Sequence, residues 1–479
     1  MKRAKGRLLV GVAILAVVAV AAGAVWVASP RAAGAPMLIF TQIRTDDAGW
    51  NGGDGPAQWF PDRSRIVAMD ADANDGGVRV LTAEFHSARA PMVSPDGRRL
   101  LFSGRRHEDD PWQIWEMRLN DGRTRLLTPG PGWYTDPAYL ADGRVVLSGR
   151  PGAATDAFAL YTTAGTGAGL MRITFHLDRD LGSQVLQDGQ VLFVSSPADQ
   201  VNAGARYLVT RPDGTGLRLF YRSADQSRPG GRAWETEDRR VVLVERGGRG
   251  SAAGVGGRLV ALAEARPLHS RVELSDRVAG SFHSLHPLES GNLLVSYRPA
   301  GGRNFSLYEF DPVAQRLEGV LSDDPAYHAV EPVVAAKRAR PKTFFSVVDS
   351  AVKIGELYCL DANLSSLPPA RASRASMGQR LRMRGLDGLL GEVPLAADGS
   401  FYIELPADLP VTLETVDDRG QVVRGPSAWL WVRPNERRGC VGCHQDPELA
   451  PANRVPNALM GAPVALGLAR SKAGGGSRP

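Results

Sequence analysis

The 479-residue chain has little of what several function classes need. It has three cysteines, too few for a disulfide scaffold. It has one long apolar run, at the N-terminus, which excludes a polytopic membrane protein. It has no long Lys/Arg block and a net charge of only +6, so nucleic acid is excluded as the default partner. G-x-S-x-G is missing, and no other nucleophile constellation replaces it, which leaves hydrolase chemistry without support. What is abundant is glycine (54) and proline (33) without a collagen period, which suits many short strands joined by turns. Apolar residues at 43% exclude a mostly disordered chain.

Residues 1–7 (MKRAKGR) are strongly basic, and residues 8–28 carry no charge. This is an export signal. The apolar run is of membrane-spanning length, so residues 1–35 read as an uncleaved, single-pass anchor with the remainder on the periplasmic side of the inner membrane. Cleavage after Ala33-Gly34-Ala35, releasing the chain to the periplasm, is the alternative.

Residues 36–345 read as a β-propeller. A turn motif recurs ahead of an aliphatic strand: Ser94-Pro95-Asp96-Gly97, Ala141-Asp142-Gly143, Gln187-Asp188-Gly189, Asp238-Arg239 and Glu289-Ser290-Gly291. Positions 97, 143, 189, 239 and 291 are separated by 46, 46, 50 and 52 residues. Each unit holds four short strands, the pattern of a propeller blade. Residues 37–82 lack a first strand, and residues 328–334 (HAVEPVV) offer one without a blade. Joining them closes a ring of six. Seven blades remain open if residues 342–360 form their own sheet. The Ser-Pro-Asp-Gly form and the strands after it resemble TolB-type propellers.

Residues 346–380 read as a connecting strand and a Pro-containing linker, residues 381–439 as a small β-sandwich, residues 440–460 as a separate segment, and residues 461–479 as a fraying tail. The fold class is therefore all-β behind an N-terminal helix.

One motif carries chemistry. Cys440-Val441-Gly442-Cys443-His444 is CxxCH. Two intervening residues separate the thiols suitably for addition to the two haem vinyl groups, and the adjacent imidazole can bind the iron. A zinc ribbon would need a second ligand pair, a thioredoxin-like pair a βαβ context, and a disulfide across two residues would be strained. The expected cofactor is one covalent haem c, with Cys440 and Cys443 as thioether donors and His444 as axial ligand. Candidates for the sixth iron position are Met460, His283, His286 and His328, and a vacant sixth position is also open. Arg437 and Arg438, with Arg433 and Arg454, are candidate partners of the haem propionates. Trp429 and Trp431 alternate on one strand and read as core, as does Cys359.

The stretch LGEVPLAADGSFYIELPADLPVTLETVDDRG followed by WVRPNERRGCVGCHQDPELAPANRVP resembles the hydrazine synthase alpha-subunit-related family. The resemblance implies a TolB-like propeller joined to a β-rich segment ending in one haem-bearing CxxCH. It does not imply hydrazine synthesis. The synthase subunit carries a further CxxCH and a tyrosine shortly after the motif, whereas residues 445–450 here hold Glu448 and no tyrosine. The resemblance implies partner subunits. The leading functional expectation is electron transfer or haem redox chemistry in a membrane-associated complex. The alternatives are a non-catalytic scaffold with a structural or sensory haem, and a haem enzyme for small nitrogen or oxygen species.

Overall fold

The computed structural model describes residues 37–52, 56–70, 77–152, 157–197, 204–223, 227–247, 257–364, 377–442, 446, 448 and 453–466. The expected anchor over residues 8–28 lies outside them, as do Cys443 and His444. Among the described residues no helix is long and apolar enough to cross a membrane. Helical structure there is confined to two single turns, Pro56–Trp59 and Asn457–Met460.

Among the described residues the strands form eight sheets, of which six are the blades of a propeller. Blade 2 shows the plan: Ser87–Val93, Arg99–Arg105, Gln113–Arg118 and Thr124–Leu126 pair antiparallel in chain order. Blade 3 starts at Trp133–Tyr139, blade 4 at Arg179–Val185, blade 5 at the broken pair Arg228–Pro229 and Trp234–Glu235, and blade 6 at Gly280–Pro287. Blade 1 is made from both ends of the domain. Tyr327–Ala335 pairs antiparallel with Met37–Arg44, Met37 opposite Ala335 and Arg44 opposite Tyr327. Adjacent blades touch all the way round, so the ring is closed, leaving only the short outer strands as edges. Residues 342–353 hold no strand, so no seventh blade forms there.

The repeated turn has one geometric cause. Gly97, Gly143, Gly189, Arg239 and Gly291 all have positive φ, between 60° and 88°. Tight hairpins of this kind require that conformation, which glycine adopts at least cost. The preceding aspartates accept backbone N–H bonds two residues on, as Asp142 does from Arg144 at 3.0 Å and Asp188 from Gln190 at 2.9 Å. Arg239 adopts the same conformation in blade 5 without glycine, which is why the motif is weakest there.

The remaining two sheets face each other around a core that includes Leu357, Cys359, Leu381, Met383, Ile403 and Val432. One sheet holds Arg437–Gly442, Ile354–Asp361, Phe401–Pro406 and Val464–Ala465 in that order. The other holds Gly388–Pro394, Arg380–Gly385, Thr412–Val416 and Val422–Arg424. The sandwich thus draws one strand from the expected connecting segment. It draws two more from within and beyond the expected haem segment.

Candidate functional site

The site is built on Arg437–Gly442, an edge strand that pairs in parallel with Ile354–Asp361. Cys359 lies opposite Cys440 and Asp361 opposite Gly442. Strand alternation puts Arg438, Cys440 and Gly442 on the side of Leu357 and Cys359, which are fully buried. Cys440 packs half-buried at the rim of the sandwich core. On the opposite face Tyr358 lies so close to Gly439 that an added Cβ would meet its ring at 2.5 Å. A side chain at 439 would therefore push the strand away from its neighbour.

The arginines before the motif are engaged. Arg437 lies over the rings of Tyr402 and Tyr358, at 5.1 and 5.6 Å, and its Nε sits 3.6 Å from the Glu356 carboxylate. Arg438 donates to the carbonyls of Trp431 (3.1 Å) and Leu217 (2.6 Å). Arg433 pairs with Asp408 at 2.7 Å and donates to Asp213 O at 2.9 Å. Arg454 pairs with Asp398 at 2.9 Å.

Several of these bonds cross to the propeller. Glu436, 5% exposed, accepts the Gly216 N–H at 2.8 Å and the Arg433 N–H at 2.7 Å. Trp431 is 1% exposed and packs edge-on against His176, ring centroids 5.1 Å apart. It is core, as the sequence suggests, but its place is at the seam between the two domains. Beyond the motif, Asp446 pairs with His269, and Glu448 Oε1 accepts the Leu268 N–H at 2.7 Å. The Glu448 N–H and, less, His269 hold the Asp446 carboxyl below its usual range. The CxxCH is thus bracketed by propeller contacts at Arg438 and at Glu448.

The sixth-position candidates lie in two places, Met460 after the motif and the three histidines in the propeller. Met460 ends the turn Asn457–Met460 and is 80% exposed. His328 Nδ1 accepts the Phe305 N–H at 3.2 Å, and its ring packs on Trp50. His283 also packs on Trp50, and His286 on Trp234. These three histidines sit inside the propeller among its own residues.

Of the three expected haem donors, Cys440 is described, and its setting suits a thioether to a porphyrin. Burial pushes its thiol pKa up, so it stays protonated, and its surroundings are apolar. Among the described residues it forms no disulfide, and no cluster of three or more His, Cys, Asp or Glu side chains offers a metal site.

A family model matches the end of the chain that carries this site, and a relative and a solved structure match most of its length. Residues 361–445 match the family described as the hydrazine synthase alpha subunit middle domain. The match ends on the CxxCH. The chain is 22% identical to hydrazine synthase subunit alpha from Kuenenia stuttgartiensis over 81% of its own length, and it spans 63% of that relative. The solved Kuenenia stuttgartiensis hydrazine synthase superposes with a TM-score of 0.77 at 21% identity, covering 89% of this chain and 72% of that one. TolB from Acinetobacter baumannii overlaps less well, with a TM-score of 0.47 at 14% identity over 63% of this chain and 67% of that one. A propeller closed through its two ends, a sandwich docked on it and a matching middle domain that ends at the CxxCH make this chain similar to the hydrazine synthase alpha subunit.

Proposed function

We propose that residues 440–444 hold one haem c, through Cys440 and Cys443 as thioether donors and His444 as axial ligand, and that the protein is a redox subunit of a larger exported assembly. The observation that carries this is the seating of Cys440. A thiol in a CxxCH is held half-buried beside an apolar core, on an edge strand whose register is set by a buried neighbour. Bound there, haem supplies a one-electron ferric/ferrous couple. The chain's own contribution is to orient and shield. The pairing with Ile354–Asp361 holds Cys440 in place. The bonds of Arg438 and Glu448 to the propeller fix the strand on either side of the motif. Arg437 and Arg438 are the nearest cations in sequence to the motif, and each already has protein partners that a propionate would have to displace.

The basic and then apolar N-terminus supports export, which thioether attachment outside the cytoplasm requires. The curated relative is a named subunit of hydrazine synthase, which supports partner subunits here too. Hydrazine formation is not part of this reading, because this sequence holds one CxxCH and no tyrosine over residues 445–450. The test is an absorbance spectrum of the reduced protein, purified from a host that matures cytochromes c. An α-band that survives acid–acetone extraction is expected. Pigment that extracts, or no α-band, would overturn covalent attachment.

A further inference from the structure

The propeller's central channel holds a second site, unconnected with Cys440. The innermost strands of blades 1 to 4 each carry a bulge, with Glu331, Ala90, Asp136 and Gly182 at φ between 50° and 66°. Bulges re-aim side chains, and here Arg89, Asp136 and Glu331 turn onto the axis. They line a cavity of about 150 Å³ together with Arg179, Arg232 and His283. Its apolar wall includes Trp50, Trp59, Trp234 and Leu285.

The charges in this cavity do not cancel. Arg89 takes both carboxylates: it is ion-paired with Glu331 and lies 3.5 Å from Asp136. Glu331 also accepts the Thr41 hydroxyl at 2.8 Å and the Ala90 N–H at 2.7 Å, and Asp136 accepts the Gly182 N–H at 2.9 Å. Neither makes a direct ion pair with Arg179 or Arg232. Arg232 reaches only the carbonyls of Pro91 (3.3 Å) and Pro137 (3.2 Å), and its Nε is buried with no acceptor among the described residues. Arg179 is 6% exposed, donates to Pro197 O at 2.9 Å, and has an Nε in the same state. His283 adds no charge, since burial first and the nearby arginines second hold its pKa well below 6.5. Arg232 feels both carboxylates but makes no direct ion pair with either, Arg179 makes none among the described residues, and buried guanidinium charge is costly unless something pairs with it.

We propose that this channel binds a small organic carboxylate with a compact apolar body, its head held by Arg179 and Arg232. The planar guanidinium matches a two-oxygen head group, which favours a carboxylate over a spherical anion. A cavity of about this volume accepts one benzene-sized body, and the tryptophans and Leu285 supply the apolar contact.

Benzoate is the probe, added to the full chain and followed by calorimetric titration and thermal unfolding. It binds one to one, and at about 100 times its Kd it raises Tm by about 3 °C. Benzyl alcohol, which lacks the head, and inorganic phosphate, which lacks the body, do not. Arg232→Gln weakens benzoate about tenfold or more, and without ligand its Tm equals or exceeds the parent's, because the burial of this charge outweighs its attraction to Asp136 and Glu331. A purely structural Arg232 would give the opposite sign in the unliganded Tm. Should that variant not fold, Arg179→Lys, which keeps the charge and loses the planar fork, weakens benzoate by a similar factor. No benzoate binding, equal binding of phosphate, or benzoate affinity unchanged in the variants would overturn the proposal.

Discussion

Cys359 and Cys440 are lateral neighbours across a parallel strand pair, one sealed in the sandwich core and the other at its rim. The candidate haem-bearing strand is therefore part of the sandwich sheet rather than of a trailing segment. Cys359 acts here as a small core residue. Cys359→Ala is expected to cost about 1–2 kcal/mol in urea unfolding and to leave covalent haem staining intact. Loss of haem from a well-folded variant would show that Cys359 takes part in attachment.

Glu436 joins the two domains by accepting one N–H from each. Glu436→Ala leaves both donors buried and is expected to cost about 2–4 kcal/mol. It should also separate the unfolding of propeller and sandwich. Calorimetry then shows two transitions where the parent shows one, and a single unshifted transition would contradict the role.

The closing strand is held by more than its ladder. Glu331 on Tyr327–Ala335 binds Arg89 of blade 2 and Thr41 of its own blade. Glu331→Gln leaves the buried Arg89 cation facing Asp136 alone and is expected to cost about 3 kcal/mol. Denaturant unfolding reads this directly, and a neutral variant would mean the pair contributes nothing to closure.

The blades were legible in the sequence because their turns demand positive φ, and glycine after aspartate marks that demand at three of the five positions. Closure was legible because one blade lacked a strand that the far end supplied. The sandwich was less so. Ile354–Asp361 pairs in parallel with a segment about 80 residues further on, and such a pairing leaves no local signal of turn or spacing. The channel was not legible at all. Its bulges occur at Ala90, Asp136 and Glu331, where nothing in the residue type announces a left-handed backbone. The CxxCH was plain from spacing alone. What surrounds it, from Tyr358 over Gly439 to Leu268 against Glu448, depends on contacts between distant parts of the chain.

Three propeller histidines make stability depend on pH. Burial, with Arg338 and Arg232 nearby, holds His286 down to about 3, and burial with Arg298 holds His328 to about 4. His283 lies well below its ordinary value for the same kind of reason. In the unfolded chain each takes up a proton near 6.5. Below that pH the unfolded state binds more protons, so stability falls as the medium is acidified from 6.5 towards 4. The slope is about 1.4 kcal/mol per pH unit for each histidine still neutral in the fold. Urea midpoints at pH 7, 6 and 5 should trace it, and His286→Gln should remove one histidine's share. An unchanged slope in that variant would contradict the assignment.

The most direct measurement is intact-peptide mass spectrometry of the segment containing residues 440–444, from protein made in a host with cytochrome c maturation. The account predicts one haem added to that peptide, with both Cys440 and Cys443 protected from alkylation and Cys359 unmodified by haem. A peptide of bare mass whose two motif thiols both alkylate would contradict it.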